Sequence, residues 1–156
     1  MIILGKTVPD LRGPSTAGDI RLRDLRGQFV VVYFYPKDNT PGCTREAQDF
    51  RDLAKQFAKH KAVVLGVSRD SMQSHEKFRD KQTLSFALVS DADETWCRAF
   101  DVIHEKVLYG RRFLGVVRST FLIGPDGKLL KEWRGVKVPG HSEAVLAAIT
   151  AETESK

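Results

Sequence analysis

The stretch Pro36-Lys37-Asp38-Asn39-Thr40-Pro41-Gly42-Cys43 sets one cysteine where a helix is about to begin. Before it, Phe29-Val30-Val31-Val32-Tyr33-Phe34-Tyr35 is an unbroken β-branched and aromatic run that reads as a buried strand. After it, Ala47, Phe50, Leu53, Ala54, Phe57 and Ala58 recur at helical spacing and predict a helix over about Thr44 to Lys59. Cys43 therefore falls in the first helical turn, where free backbone N–H groups and the positive end of the dipole favour a thiolate. Position alone is not enough. Moving an ordinary thiol from about pKa 8.5 to about 6 takes ~3.4 kcal/mol of preferential thiolate stabilisation. A helix N-terminus contributes only ~0.3–1 kcal/mol. Directed hydrogen bonds or a cation must supply the rest. Thr40 offers a hydroxyl from the same loop, but spacing selects no cation among the 25 Lys and Arg.

The elements that would position this loop alternate along the chain. Gly-Pro and Ala-Gly-Asp turn signals between Leu11 and Leu25 suggest an N-terminal hairpin. Ala62 to Ser68 is a second apolar strand, and Asp70 with Gln73 resembles a capping box for a helix through about Lys81. A short strand over Phe86 to Val89 precedes a helix from Asp91, capped with Glu94, to about Phe100. Thr120 to Ile123, the turn Gly124-Pro125-Asp126-Gly127 and Lys128 to Trp133 predict a hairpin. A closing helix is expected over about Ser142 to Ala151, with residues 152–156 a frayed polar tail. This order implies an α/β fold: one domain over residues 1–156, with a mixed sheet flanked by helices.

Composition narrows the function classes. The net charge of +5 comes from scattered Lys and Arg, without an Arg-rich arm or zinc-finger spacing, so nucleic acid is not expected as a partner. No apolar run approaches the ~18 residues of a membrane span, so no membrane association is expected. Met1-Ile2-Ile3-Leu4 is too short for a signal-peptide core, which makes the reducing cytosol the expected compartment. In that setting two cysteines point to chemistry or plain burial rather than to a structural disulfide. His60, His75, His104 and His141 are dispersed and read as surface or capping residues; no metal site or cofactor is expected.

The segment Tyr35-Pro36-Lys37-Asp38-Asn39-Thr40-Pro41-Gly42-Cys43-Thr44-Arg45-Glu46 resembles the Pro-x3-Thr-x2-Cys signature of peroxiredoxins. It is most similar to the bacterioferritin comigratory protein (BCP) or PrxQ branch. Gly66 to Ser71, Leu88 to Asp91, Tyr109-Gly110, Arg118 to Ile123 and Arg134 to His141 resemble that branch in the same order. The resemblance implies a thioredoxin-like fold with an N-terminal β-hairpin extension. It implies a thiol-dependent peroxidase acting on hydrogen peroxide and organic hydroperoxides. Cys43 matches the peroxidatic cysteine, Thr40 the threonine that orients thiolate and peroxide, and Pro36 the proline shielding the pocket. Arg118 matches the arginine that stabilises the thiolate, and Glu46 a carboxylate that positions that arginine.

The match is incomplete at the resolving cysteine. Relatives carry it five residues after the peroxidatic one, here Gln48, or in the next helix, at a position aligned with Arg79. Cys97 is the only other thiol. Its neighbours Trp96, Ala99 and Phe100 read as core-facing, so it is either inert or an atypical resolving cysteine. A one-cysteine cycle is favoured, with an external thiol (thioredoxin, glutaredoxin or glutathione) as reductant and a monomer as the working state. A thioredoxin-type oxidoreductase would need Cys-x-x-Cys, and Thr40 stands at the first of those places. A redox-sensing or holdase chaperone module on the same fold is the alternative.

Overall fold

The computed structural model describes residues 2–154. Strands β1 (Arg12–Ser15) and β2 (Gly18–Arg21) form the N-terminal hairpin, followed by a 3-10 turn over Leu22–Leu25. Then come β3 (Phe29–Phe34), α1 (Pro41–Asp52), α2 (Ala54–Lys59), β4 (Ala62–Ser68), α3 (Met72–Gln82), β5 (Ala87–Ser90) and α4 (Thr95–Ala99). The chain continues through β6 (Ile103–Leu108), β7 (Arg111–Val116), β8 (Ser119–Ile123), β9 (Leu129–Arg134) and α5 (His141–Glu154).

Seven strands build one mixed sheet in the order β2-β1-β5-β4-β3-β8-β9. β3, β4 and β5 run parallel, while β8 and β9 return antiparallel. All six residues of β3 are buried, as a central strand covered on both faces must be. Its alternation divides the core. Phe29, Val31 and Tyr33 face a cluster that includes Cys43, Phe50, Phe78 and Ile149, drawn from α1, α3 and α5. Val30, Val32 and Phe34 face the opposite cluster, with Trp96, Cys97 and Phe100 from α4. The α/β class, the mixed sheet and the N-terminal hairpin are as the sequence implies.

Local details depart from the sequence reading. The helix expected over 44–59 is two helices, divided at Leu53, where the backbone leaves helical geometry (φ −99°, ψ 7°). Neither Pro nor Gly marks that break. Ser71, not Asp70, caps α3 by accepting from the Ser74 N–H, and Asp70 turns to the loop after β3 instead. Glu94 stands at the N-cap of α4 with φ 64° but makes no cap hydrogen bond. Asp91 takes that role, its two carboxylate oxygens accepting from the N–H groups of Trp96 and Cys97. α5 runs on to Glu154, so residues 152–154 are helical rather than frayed; 155–156 lie outside the described residues. The hairpin β6–β7, a separate two-stranded sheet, has no counterpart in the sequence reading.

Candidate active site

Parallel strands deliver their loops to one edge of the sheet, and the loop after β3 carries the candidate residues. Pro36, half-buried, follows Tyr35 and ends the strand. Thr40 occupies the N-cap position of α1 and Pro41 its first helical position, where a missing N–H costs nothing. Cys43 is therefore the third residue of α1, and its side chain is 2% exposed. The Thr40 side chain makes no cap bond; its hydroxyl donates to the Lys37 carbonyl at 2.8 Å. Its lone pairs remain available to accept.

The antiparallel register of β3 with β8 pairs Phe34 with Ser119. That pairing carries Arg118, the residue before β8, to the end of β3 where the loop begins. The Val136 N–H donates to the Arg118 carbonyl and fixes its backbone. Arg118 Nη2 then donates to Cys43 Sγ at 3.4 Å, and Nη1 donates to Glu46 Oε1 at 2.7 Å. Cys43 and Glu46 are three residues apart on α1 and share a face, so one guanidinium spans both. Gly42 makes room: a Cβ there would lie 3.2 Å from Arg118 Nη2.

The electrostatics are those of a nearly dry cup. Glu46 is 1% exposed, and burial lifts its carboxyl to about 7 although Arg118 pulls the other way. Its Oε2 has no hydrogen-bond partner, nor has the buried Tyr33 hydroxyl, whose ionisation is pushed up by burial and then by Glu46. Arg118 is held more firmly protonated by Glu46 and Cys43, which outweigh its own burial. His141 is buried, bonded at Nε2 to the Thr120 hydroxyl (2.8 Å), and lowered to about 4 by burial and then by Arg118. A neutral imidazole thus sits behind the arginine at neutral pH.

The loop is pinned from beneath by residues to which the sequence reading gave no part in holding it. Asp38 accepts from the Tyr35 hydroxyl (2.6 Å) and the Ser74 hydroxyl (2.8 Å), and lies 2.7 Å from His75 Nδ1. Its backbone N–H donates to Asp70 Oδ2 at 2.9 Å. His75 is fully buried and bonds through Nε2 to the Val89 carbonyl. His75 and His141 are therefore interior residues, not the surface or capping residues expected: each has a polar partner that makes burial tolerable. Among the described residues Asp38, Asp70 and His75 form a group with metal-ligand reach. Within that group Asp38 and His75 bond to each other directly, at 2.7 Å.

Cys97 lies on the other side of the sheet from Cys43. It is fully buried, and burial followed by the Asp91 carboxylate raises its thiol well above the ordinary range.

Comparison with known proteins identifies the family. Residues 4–131 match the AhpC/TSA family. The chain is 56% identical over 133 residues to peroxiredoxin Bcp of Xanthomonas campestris pv. campestris, covering 85% of this chain and 83% of that one. It is 45% identical over 154 residues to peroxiredoxin Bcp of Bacillus subtilis, covering 98% of each. A solved structure of the bacterioferritin comigratory protein of Xanthomonas campestris, studied for alkyl peroxide reduction, superposes with a TM-score of 0.89 at 50% identity, covering 97% of this chain and 98% of that one. The chain thus belongs to the AhpC/TSA family and, within it, to the BCP/PrxQ peroxiredoxins, and it is a thiol-dependent peroxidase.

Proposed function

We propose that Cys43 is the peroxidatic residue of a one-cysteine cycle, and that the 3.4 Å contact between Arg118 Nη2 and Cys43 Sγ carries the chemistry. The thiolate attacks one oxygen of hydrogen peroxide or an organic hydroperoxide. The S–O bond forms as the O–O bond breaks, sulfur loses two electrons, and hydroxide or alkoxide leaves to take up a proton. Arg118 stabilises both the thiolate and the charge spreading over the breaking bond. Thr40, its own proton committed to Lys37, accepts the peroxide O–H and orients it. Pro36 limits water at the sulfur, and Glu46 holds Arg118 in register.

An external thiol then reduces the sulfenic acid. Thioredoxin, glutaredoxin and glutathione are all competent in principle, and the two buried cysteines favour such a route. For Cys97 to resolve Cys43, the two Cα atoms must come within about 7 Å. Unwinding the first turn of α1 would still leave the sheet between them. A monomer in the cytoplasm is sufficient for this cycle.

Stopped-flow oxidation of the wild-type chain and of Cys43→Ser tests the reading. The wild type should consume peroxide in proportion to added thiol reductant, and Cys43→Ser should show none. Persisting turnover in that variant rules out the assignment. Client or partner binding that survives Cys43→Ser, with no turnover in the wild type, would favour the holdase or redox-sensing alternative.

A further inference from the structure

Among the described residues, seven large apolar side chains are exposed, and five of them lie on the β6–β7 hairpin: Val107, Leu108, Tyr109, Phe113 and Leu114. The hairpin belongs to no larger sheet. We propose that its tip is a docking element for an anionic lipid surface, which goes beyond the peroxidase reading.

Register distributes these side chains. Cross-strand partners share a face, so Val107 with Arg112 and Glu105 with Leu114 point one way. Lys106 with Phe113 and Leu108 with Arg111 point the other. Tyr109, 96% exposed, projects from the two-residue turn, where it and Gly110 take left-handed conformations (φ 51° and 76°). Apolar groups therefore surround the tip on both faces and at its end. A protein partner docks on one face and leaves the other wet; the interfacial layer of a bilayer wraps all of it.

Charge selects the kind of surface. The hairpin carries Lys106, Arg111 and Arg112 against Glu105 alone; Arg112 pairs with Glu105 at 3.4 Å on one face, so the excess positive charge lies with Lys106 and Arg111 on the other. That excess repels a second copy of a chain whose net charge is +5 and attracts anionic headgroups. The unpaired backbone groups along both hairpin edges keep the tip at headgroup depth. The expectation of no membrane association rested on spanning segments, and no described helix is long and apolar enough to cross one. A surface contact needs no such helix. β7 ends two residues before Arg118, and Lys106 lies within electrostatic reach of Arg118 and Cys43, so docking would bring the reactive pocket close to the lipid surface.

Co-sedimentation of the full chain with mixed phosphatidylglycerol–phosphatidylcholine vesicles, and with phosphatidylcholine vesicles alone, tests this. The wild type should pellet with the anionic vesicles and stay in solution with the neutral ones. Arg111→Gln combined with Arg112→Gln should weaken partitioning about 30-fold. Leu108→Ser combined with Phe113→Ser should weaken it by roughly 100-fold. Both variants should keep wild-type hydrogen peroxide turnover in buffer, which shows that they fold. Cys43→Ser should bind vesicles as the wild type does, so the docking result is independent of the redox chemistry. Equal binding to both vesicles, no binding, or binding indifferent to the hairpin variants overturns the proposal. So does a concentration-dependent dimer that Leu108→Ser with Phe113→Ser abolishes.

Discussion

Cys43 and Cys97 occupy matching positions in two different electrostatic settings. Each is the third residue of a helix, and each is almost completely buried (2% and 0% exposed). At the start of α1 no side chain caps the amides, and Arg118 donates to the sulfur. At the start of α4 the Asp91 carboxylate has taken the Trp96 and Cys97 N–H groups and faces the second sulfur. A guanidinium faces the first sulfur, whereas burial and then the Asp91 carboxylate suppress ionisation of the second. Helix position and burial do not distinguish the two thiols. The sign of the charge opposite each one does.

The strongest way to break this comparison is to remove the cation. Arg118→Met keeps bulk and should slow Cys43 oxidation by about 10²–10³-fold in stopped-flow measurements, with Cys97 unaffected. Glu46→Gln is gentler and pH-dependent. Burial holds the Glu46 proton up to about pH 7. Below that pH the wild-type carboxyl is already neutral, and the amide mimics it. The wild-type to variant rate ratio should therefore approach one at pH 5 and reach about tenfold at pH 8. A ratio independent of pH would mean that the carboxylate charge does not act through Arg118.

Asp91→Asn probes the other site. It removes the negative charge and leaves one carbonyl acceptor for two amides, which should cost roughly 1–3 kcal/mol of stability by denaturant titration. Cys97 alkylation should quicken while peroxide turnover stays within about twofold, the pocket of Cys43 being across the sheet. Smallest of all, Cys97→Ser should leave turnover with an external thiol unchanged. A lost catalytic cycle in that variant would revive an atypical resolving role.

The parts legible in the sequence are those whose residue pattern is dictated locally or by burial on both faces. β3 appears as an unbroken apolar run, and β4 and β8 as largely apolar ones, because helices or chain cover both sides of them. Cys43 falls in a first turn because Pro41 begins α1. Arg118 is different: its residue type is one of many, and only the β3–β8 register brings it to the sulfur, so resemblance alone pointed to it. The Asp38–His75 pin joins residues 37 apart and exists only once α3 lies beside the loop. The β6–β7 hairpin was missed because its apolar residues face outward on both sides and show no strand period. Tyr109-Gly110, a two-residue turn between short runs, was the available signal.

The central claim is that one buried thiol is set for oxidation and the other is not. One equivalent of hydrogen peroxide, followed by dimedone trapping and peptide mass spectrometry, measures this directly. The account requires a dimedone adduct at Cys43 with Cys97 recovered as a free thiol. An adduct at Cys97, or a Cys43–Cys97 disulfide, would contradict it.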